Sequence, residues 1–190
     1  MNRRVLLISI LLHFVVFQAI GQGFLKCNGQ KIVDSTGKNV LLRAMGLGGW
    51  MLQEGYMLKM DAFASDQYQI RGKIEGLIGK ENTDTFYTKW QANYMQKADI
   101  ELLKSYGFNS IRVPFHYNLF TQPIENETVR GQNTWIETGF ALTDTLLTWC
   151  RENQMYVILD MHAAPGGQGH GAGIADYNPA KPSLWDTVDK

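Results

Sequence analysis

Two kinds of apolar pattern follow one another along this chain, and their order predicts its architecture. Met95, Ala98, Leu102 and Tyr106 recur at helical spacing, Gly107 supplies a helix stop, and 108–115 is then rich in β-branched and aromatic residues. The change recurs further on: Phe140, Leu142, Leu146, Leu147, Trp149 and Cys150 give 138–153 a broad apolar face, and 155–161 is almost unbroken apolar sequence. Such a run suits a parallel strand covered on both faces. Upstream, Lys31-Ile32-Val33, a turn over 34–38 and a second arm over 39–45 predict a hairpin, whose second arm runs into Gly46-Leu47-Gly48-Gly49-Trp50. Between these lie 67–79 and 83–96, an inserted pair of helices by composition, with Asn82 or Thr83 as the second N-cap. Strand, helix, strand, helix, strand, with crossovers of this length, predicts a parallel α/β sheet. Three such strands close no barrel and leave an edge bare, so the sheet is either small and open or part of a larger one. The stretch 163–190 reads as a loop rich in glycine and proline, with another helix starting near Ser183.

The first residues stand apart from this pattern. Arg3 and Arg4 precede an apolar run over 5–17, broken only by Ser9 and His13, and Ala19-Ile20-Gly21 places small residues at cleavage positions. This predicts a secretory signal peptide over 1–21, leaving 22–190 as the mature chain. The run is shorter than the roughly 20 apolar residues of a membrane span, and no stable span is expected after cleavage. With 18 basic and 18 acidic side chains, nothing argues for nucleic acid or a polyanionic substrate. Two cysteines allow one bridge at most; Cys27 sits near the mature terminus and Cys150 on the apolar side of a helix, so no catalytic thiol is expected.

In parallel α/β proteins the working residues gather at the C-terminal ends of the strands. That rule selects Trp50 and Glu54 beyond the first strand, Arg112, His116 and Tyr117 at the second, and Asp160 and His162 at the third. Arg112, inside the strand Ser110-Ile111-Arg112-Val113-Pro114, is a charge that needs a partner if buried. It is either a site residue or half of a structural ion pair. Asp160 and His162, two apart, share a strand face, and His116 and His170 are further candidate ligands. The compact ligand spacings of zinc enzymes are nevertheless absent, so no metal is expected. The glycine run 165–173 resembles a phosphate loop, but Ala163-Ala164-Pro165 separates it from the strand and no helix opens from it, so it reads as a mobile loop on the substrate side. There is no Gly-x-Ser-x-Gly elbow. Asn126-Glu127-Thr128 fits a glycosylation sequon.

Four segments together resemble glycoside hydrolase family 5 and, within it, the exo-β-1,3-glucanase-like branch: Arg43-Ala44-Met45-Gly46-Leu47-Gly48-Gly49-Trp50, Ile111-Arg112-Val113-Pro114, Leu159-Asp160-Met161-His162 with Pro165-Gly166-Gly167-Gln168, and Ser183-Leu184-Trp185-Asp186. The resemblance implies a (β/α)8 TIM barrel with an N-terminal β-hairpin cap, present here as about its first three β/α units. It also implies retaining hydrolysis of a β-glucan or related β-linked polysaccharide by two glutamates and no cofactor. Those glutamates belong to the fourth and seventh strands, and a whole barrel takes roughly 250 residues, so both are expected beyond residue 190. What the resemblance carries over is a supporting shell: Arg112 beside the nucleophile, His162 and Glu54 on the sugar, and Gln168 in a nearby loop. Gly55-Tyr56, where the branch has Pro-Trp, and Gly169-His170-Gly171 depart from its pattern. The alternative is a carbohydrate-binding or inactive relative.

Overall fold

The computed structural model describes residues 23–126, 129, 131–132, 134–169, 173 and 175–181. The expected signal peptide over 1–21, Glu127 and Thr128 of the sequon, His170, and the segment 183–186 lie outside the described residues. The chain divides into two compact units, 1–40 and 41–190.

In the first unit β1 (Lys26–Asn28) pairs antiparallel with β2 (Lys31–Val33) around Gly29-Gln30. The expected hairpin is thus displaced by one arm. The turn over 34–38 does form: one Asp34 carboxylate oxygen accepts from the backbone N–H groups of Thr36 and Lys38 at 2.9 and 3.0 Å. The arm that follows makes only a single bridge, Val33 to Asn39. Lys26-Cys27-Asn28 carries no apolar alternation, so the arm that does pair had no signature in the sequence.

In the second unit β3 (Ala44–Gly46), β4 (Ser110–His116) and β5 (Tyr156–Ala163) form a parallel sheet in the order β3-β4-β5. Helices α1 (Gln67–Ile78), α2 (Lys80–Tyr94) and α3 (Lys97–Ser105) lie in the first crossover, and α4 (Glu137–Glu152) in the second. Asn82 and Thr83 are not caps, contrary to expectation. A positive φ of 79° at Gly79 breaks the run in a single residue, α2 starts at once, and the Thr83 hydroxyl donates back to the Gly79 carbonyl at 2.9 Å. Helix α3 opens where the backbone N–H of Gln96 donates to the Asp99 carboxylate at 2.8 Å, and Gly107 follows its end at φ 89°. Asn109 then stitches the starts of β3 and β4, accepting from the Arg43 N–H at 2.7 Å and donating to the Leu41 carbonyl at 2.8 Å.

Strand pleating sorts the side chains. Ile111 and Val113 join Ile100 of α3 and Leu146 and Cys150 of α4 in one buried cluster, with Leu47, Trp50, Met51, Met95 and Met155. Complete burial of an Ile or Leu contributes about 1.5–3 kcal/mol, so this layer of helices on one sheet face supplies much of the unit's stability. Arg112, on the other face, is not buried: its side chain is 44% exposed. Strand β5, expected to be covered on both faces, leaves Ile158, Leu159 and Met161 exposed, and β4 is its one sheet neighbour among the described residues. Among the described residues no helix is long and apolar enough to cross a membrane.

Burial pushes the Cys150 thiol up to about 11 and the Tyr87 phenol up to about 12. Both are raised above their unfolded values, so the unfolded chain loses these protons first. The stability they contribute is complete below about pH 9 and drains as pH climbs through 9–11 for the thiol and 10–12 for the phenol. Melting temperature is therefore expected to fall over that window, and Cys150→Ala to flatten its lower half. An equally steep fall from pH 9 to 11 in the variant would assign the loss to other groups.

Candidate active site

After β3 the chain keeps following β4. The Leu47 N–H donates to the Arg112 carbonyl at 2.9 Å, and the His116 N–H to the Met51 carbonyl at 3.1 Å. Parallel pairing thus carries the first loop to the C-terminal end of the sheet and sets Glu54, 7% exposed, beside the ends of β4 and β5. Gly55 turns so tightly there that a Cβ would lie 2.4 Å from the Ala64 carbonyl oxygen. The Tyr56 hydroxyl donates to the Glu54 carboxylate, which raises the phenol above its ordinary value.

Four of the charged candidates meet. His162 Nε2 lies 3.5 Å from Glu54 Oε1, and its Nδ1 lies 3.1 Å from Asp160 Oδ2 and 3.3 Å from Arg112 Nη2. Arg112 Nη2 also donates to Asp160. Arginine can only donate and an ionised carboxylate can only accept. A neutral His162 either donates from Nδ1 to Asp160 or turns an Nε2 N–H toward Glu54 and accepts from Arg112; a protonated one turns its two N–H groups toward Glu54 and Asp160. Each ionisable group is thereby oriented by another, and the first and third strand ends converge on one place.

His116 and Tyr117 belong to a second group. His116 Nδ1 accepts from the Asn118 N–H at 3.1 Å, which fixes the proton on Nε2, where it is donated to Asp176 Oδ2 at 2.8 Å. Asp176 Oδ1 accepts from the Tyr68 N–H at 2.8 Å, at the start of α1. Asp66, also at that start, takes the Gly173 N–H at 2.7 Å. These two carboxylates fasten the far side of the glycine-rich loop. Tyr117 stacks on His116 with ring centroids 4.8 Å apart, and burial raises its phenol. Gln168 donates its amide to the Met161 carbonyl at the end of β5.

Trp50 lies elsewhere than expected. A buried indole N–H requires an acceptor, and α2 supplies it: Trp50 donates to the Gln91 carbonyl at 2.9 Å, while Trp90 and Tyr94 donate to the carbonyls of Gly49 and Gly48 at 2.9 and 2.6 Å. The indole consequently lines a cavity of ≈ 130 Å³ with Gln53, Gln67, Arg71, Tyr87 and Gln91, to which Glu54, Arg112 and His162 do not contribute. Sequence reading also missed Asp176, a loop residue with no spacing to mark it, and Tyr56, visible there only as a departure from the family pattern. Among the described residues no three His, Cys, Asp or Glu side chains are grouped to hold a metal ion.

Helices on a parallel sheet and an ionisable cluster at its C-terminal ends define an α/β protein, whose three described parallel strands form an open sheet. The crystal structure of AoRut shares this fold, with a TM-score of 0.52 at 20% identity over 72% of this chain and 39% of that chain. The model of the Cellulase family (glycosyl hydrolase family 5) matches residues 70–187, and the chain belongs to that family. Relatives include the β-xylosidase of Phanerodontia chrysosporium, 34% identical over 76% of this chain and 29% of its own length. The glucan 1,3-β-glucosidase of Candida oleophila is 27% identical over 69% of this chain and 31% of its own length. The chain thus spans about a third of these relatives. The family match contains Arg112, His116, Tyr117, Asp160, His162 and Gln168, whereas Trp50 and Glu54 precede it.

Proposed function

We propose that these residues form the N-terminal part of a secreted glycoside hydrolase that cleaves a β-glucan or related β-linked polysaccharide, with retention, in the closed (β/α)8 barrel of its family. The observation that carries this reading is the joining of Glu54, His162, Asp160 and Arg112 at the C-terminal ends of three parallel strands. In the reading, Glu54 and His162 hold sugar hydroxyls, while Arg112 orients and keeps ionised a catalytic carboxylate from a later strand. Gln168 and the Tyr117–His116 pair border the substrate. A retaining enzyme needs two carboxyl groups about 5–5.5 Å apart across the bond being cut. In this reading Asp160, held by Arg112, and Glu54, held by Tyr56 and His162, support the site, and the pair is supplied by later strands of the barrel. Further strand and helix units of such a barrel would cover Leu159 and Met161 on β5. The printed activities of the two relatives, a β-xylosidase and a glucan 1,3-β-glucosidase, support a β-linked glycan without choosing its sugar.

Residues 22–190 alone are expected to release no reducing sugar from β-1,3-glucan, cellulose or xylan, whereas the protein extended through the remaining strands cleaves one of them and yields the β-anomer first by NMR. Hydrolysis by the short chain would place the carboxylate pair within it, and an α-anomer from the long one would exclude retention.

A further inference from the structure

The cavity behind Trp50 has a polar group left over. Gln53 is only 3% exposed. Its backbone N–H donates to Gln67 Oε1 at 2.8 Å, and its side-chain Oε1 accepts from the Tyr87 hydroxyl at 2.7 Å. The amide Nε2 has no hydrogen bond to any other described residue. Turning the amide over exchanges its two ends without changing the count, so one end of an almost fully buried amide remains unspent at the cavity wall. A buried amide is costly to leave so, and whatever fills the space must meet it.

The rest of the lining narrows what that is. Half-buried Gln67 and Gln91, with Asn118, add amides to the lining beside Gln53, and Trp50, Met51 and Leu119 add apolar surface. Arg71 contributes no free charge, because its guanidinium is paired with Asp84 and lies 4.9 Å over the Tyr87 ring. A wholly apolar ligand would strand the amide, and an anion would find its one cation already neutralised. A ring with hydroxyls at its edge and C–H groups on its face satisfies both kinds of lining. The ≈ 130 Å³ also exceeds the space of a single water.

We infer that this cavity is a second carbohydrate site, holding one neutral sugar unit among the Gln53, Gln67 and Gln91 amides and Trp50, separate from the cluster of Glu54, His162, Asp160 and Arg112. The inference does not depend on hydrolysis, and its test reads binding alone. D-glucose is titrated into the full chain by isothermal calorimetry and ¹H–¹⁵N NMR. Saturable binding is expected, weakened at least tenfold by Gln53→Met and by Gln91→Met and changed less than twofold by Gly72→Ala, where a Cβ meets nothing within 4 Å. The Gln91 side chain is half-buried and bonds no other described residue, so Gln91→Met keeps the test alive if Gln53→Met fails to fold. Three results would each overturn the inference: no saturable binding to the unaltered chain, which leaves a cavity of ordered water only; binding indifferent to a folded cavity variant, which moves the sugar to the strand ends; or binding weakened equally by Gly72→Ala, which detaches the loss from the cavity.

Discussion

Arg112→Lys is expected to lower turnover of the proposed hydrolase by about 100-fold, the scale associated with a 1 Å misplacement of reacting groups, while its melting temperature barely moves. The contrast follows from geometry and exposure together. One guanidinium edge serves both Asp160 and His162, and the rest of the planar fork is suited to hold a second carboxylate at two points, which a lysine ammonium cannot do. The stability share is small because the Arg112 side chain is 44% exposed, and pairs open to solvent contribute about 0–1 kcal/mol. Turnover per folded molecule and melting temperature should be measured on one preparation. Intact turnover with a lowered melting temperature would make Arg112 half of a structural ion pair and remove it from the site.

Gly55→Ala acts on the other side of the cluster. The new methyl would lie 2.4 Å from the Ala64 carbonyl oxygen, 2.7 Å from the Ser65 Cα and 2.8 Å from Asp61 Oδ1. Two of these are backbone and cannot swing aside. The loop is closed on itself by the Gly55 N–H donating to the Ser65 carbonyl and the Met60 N–H to the Gly55 carbonyl, both at 2.8 Å, so it opens as a unit. Overpacking of this kind costs about 1–3 kcal/mol, here at the upper end, or a fall of roughly 6–10 °C at the 2–4 °C per kcal/mol usual for this size. Protease cutting within 56–64 is expected to rise with it. Gly72→Ala in α1 is the control, since a Cβ there meets nothing within 4 Å, and alanine favours a helix interior by about 0.5–1 kcal/mol. A Gly55→Ala protein that melts with the unaltered one would show that the loop yields easily and does not hold Glu54 in place.

The parallel sheet and its crossover helices were legible because each combines a strong apolar period with a clear stop: Met95 to Tyr106 before Gly107, and Leu142 to Cys150 before β5. The strand ends followed from those, and with them the meeting of Glu54, Arg112 and His162. Partners chosen only in three dimensions were not legible. Asp160 reads in sequence as a candidate ligand, yet it is the arginine's counter-charge; Asp176 reads as loop and yet fixes the His116 tautomer. Trp50 is separated from the strand-end cluster for a related reason: the direction of its indole is decided by a carbonyl on α2, forty-one residues away. The first β arm, Lys26–Asn28, was invisible because an exposed three-residue strand needs no apolar period.

The register of β4 against β5 is regular from Ser110 opposite Tyr156 to Phe115 opposite Met161, and then slips, so that His116 faces Ala163 and His162 has no opposite number. Side chains in a strand alternate strictly, so one surplus residue changes the parity of everything beyond it. Had the regular register continued, His116 would face His162, and the two imidazoles would be cross-strand neighbours competing for the same carboxylates. With the slip, each keeps its own acid: Asp176 for His116, Glu54 and Asp160 for His162. The slip in β5 thus sorts the acids between the two bases. Deleting Met161 would make Asp160 and His162 sequence neighbours on opposite strand faces, so the cluster would lose its imidazole with every side chain chemically intact.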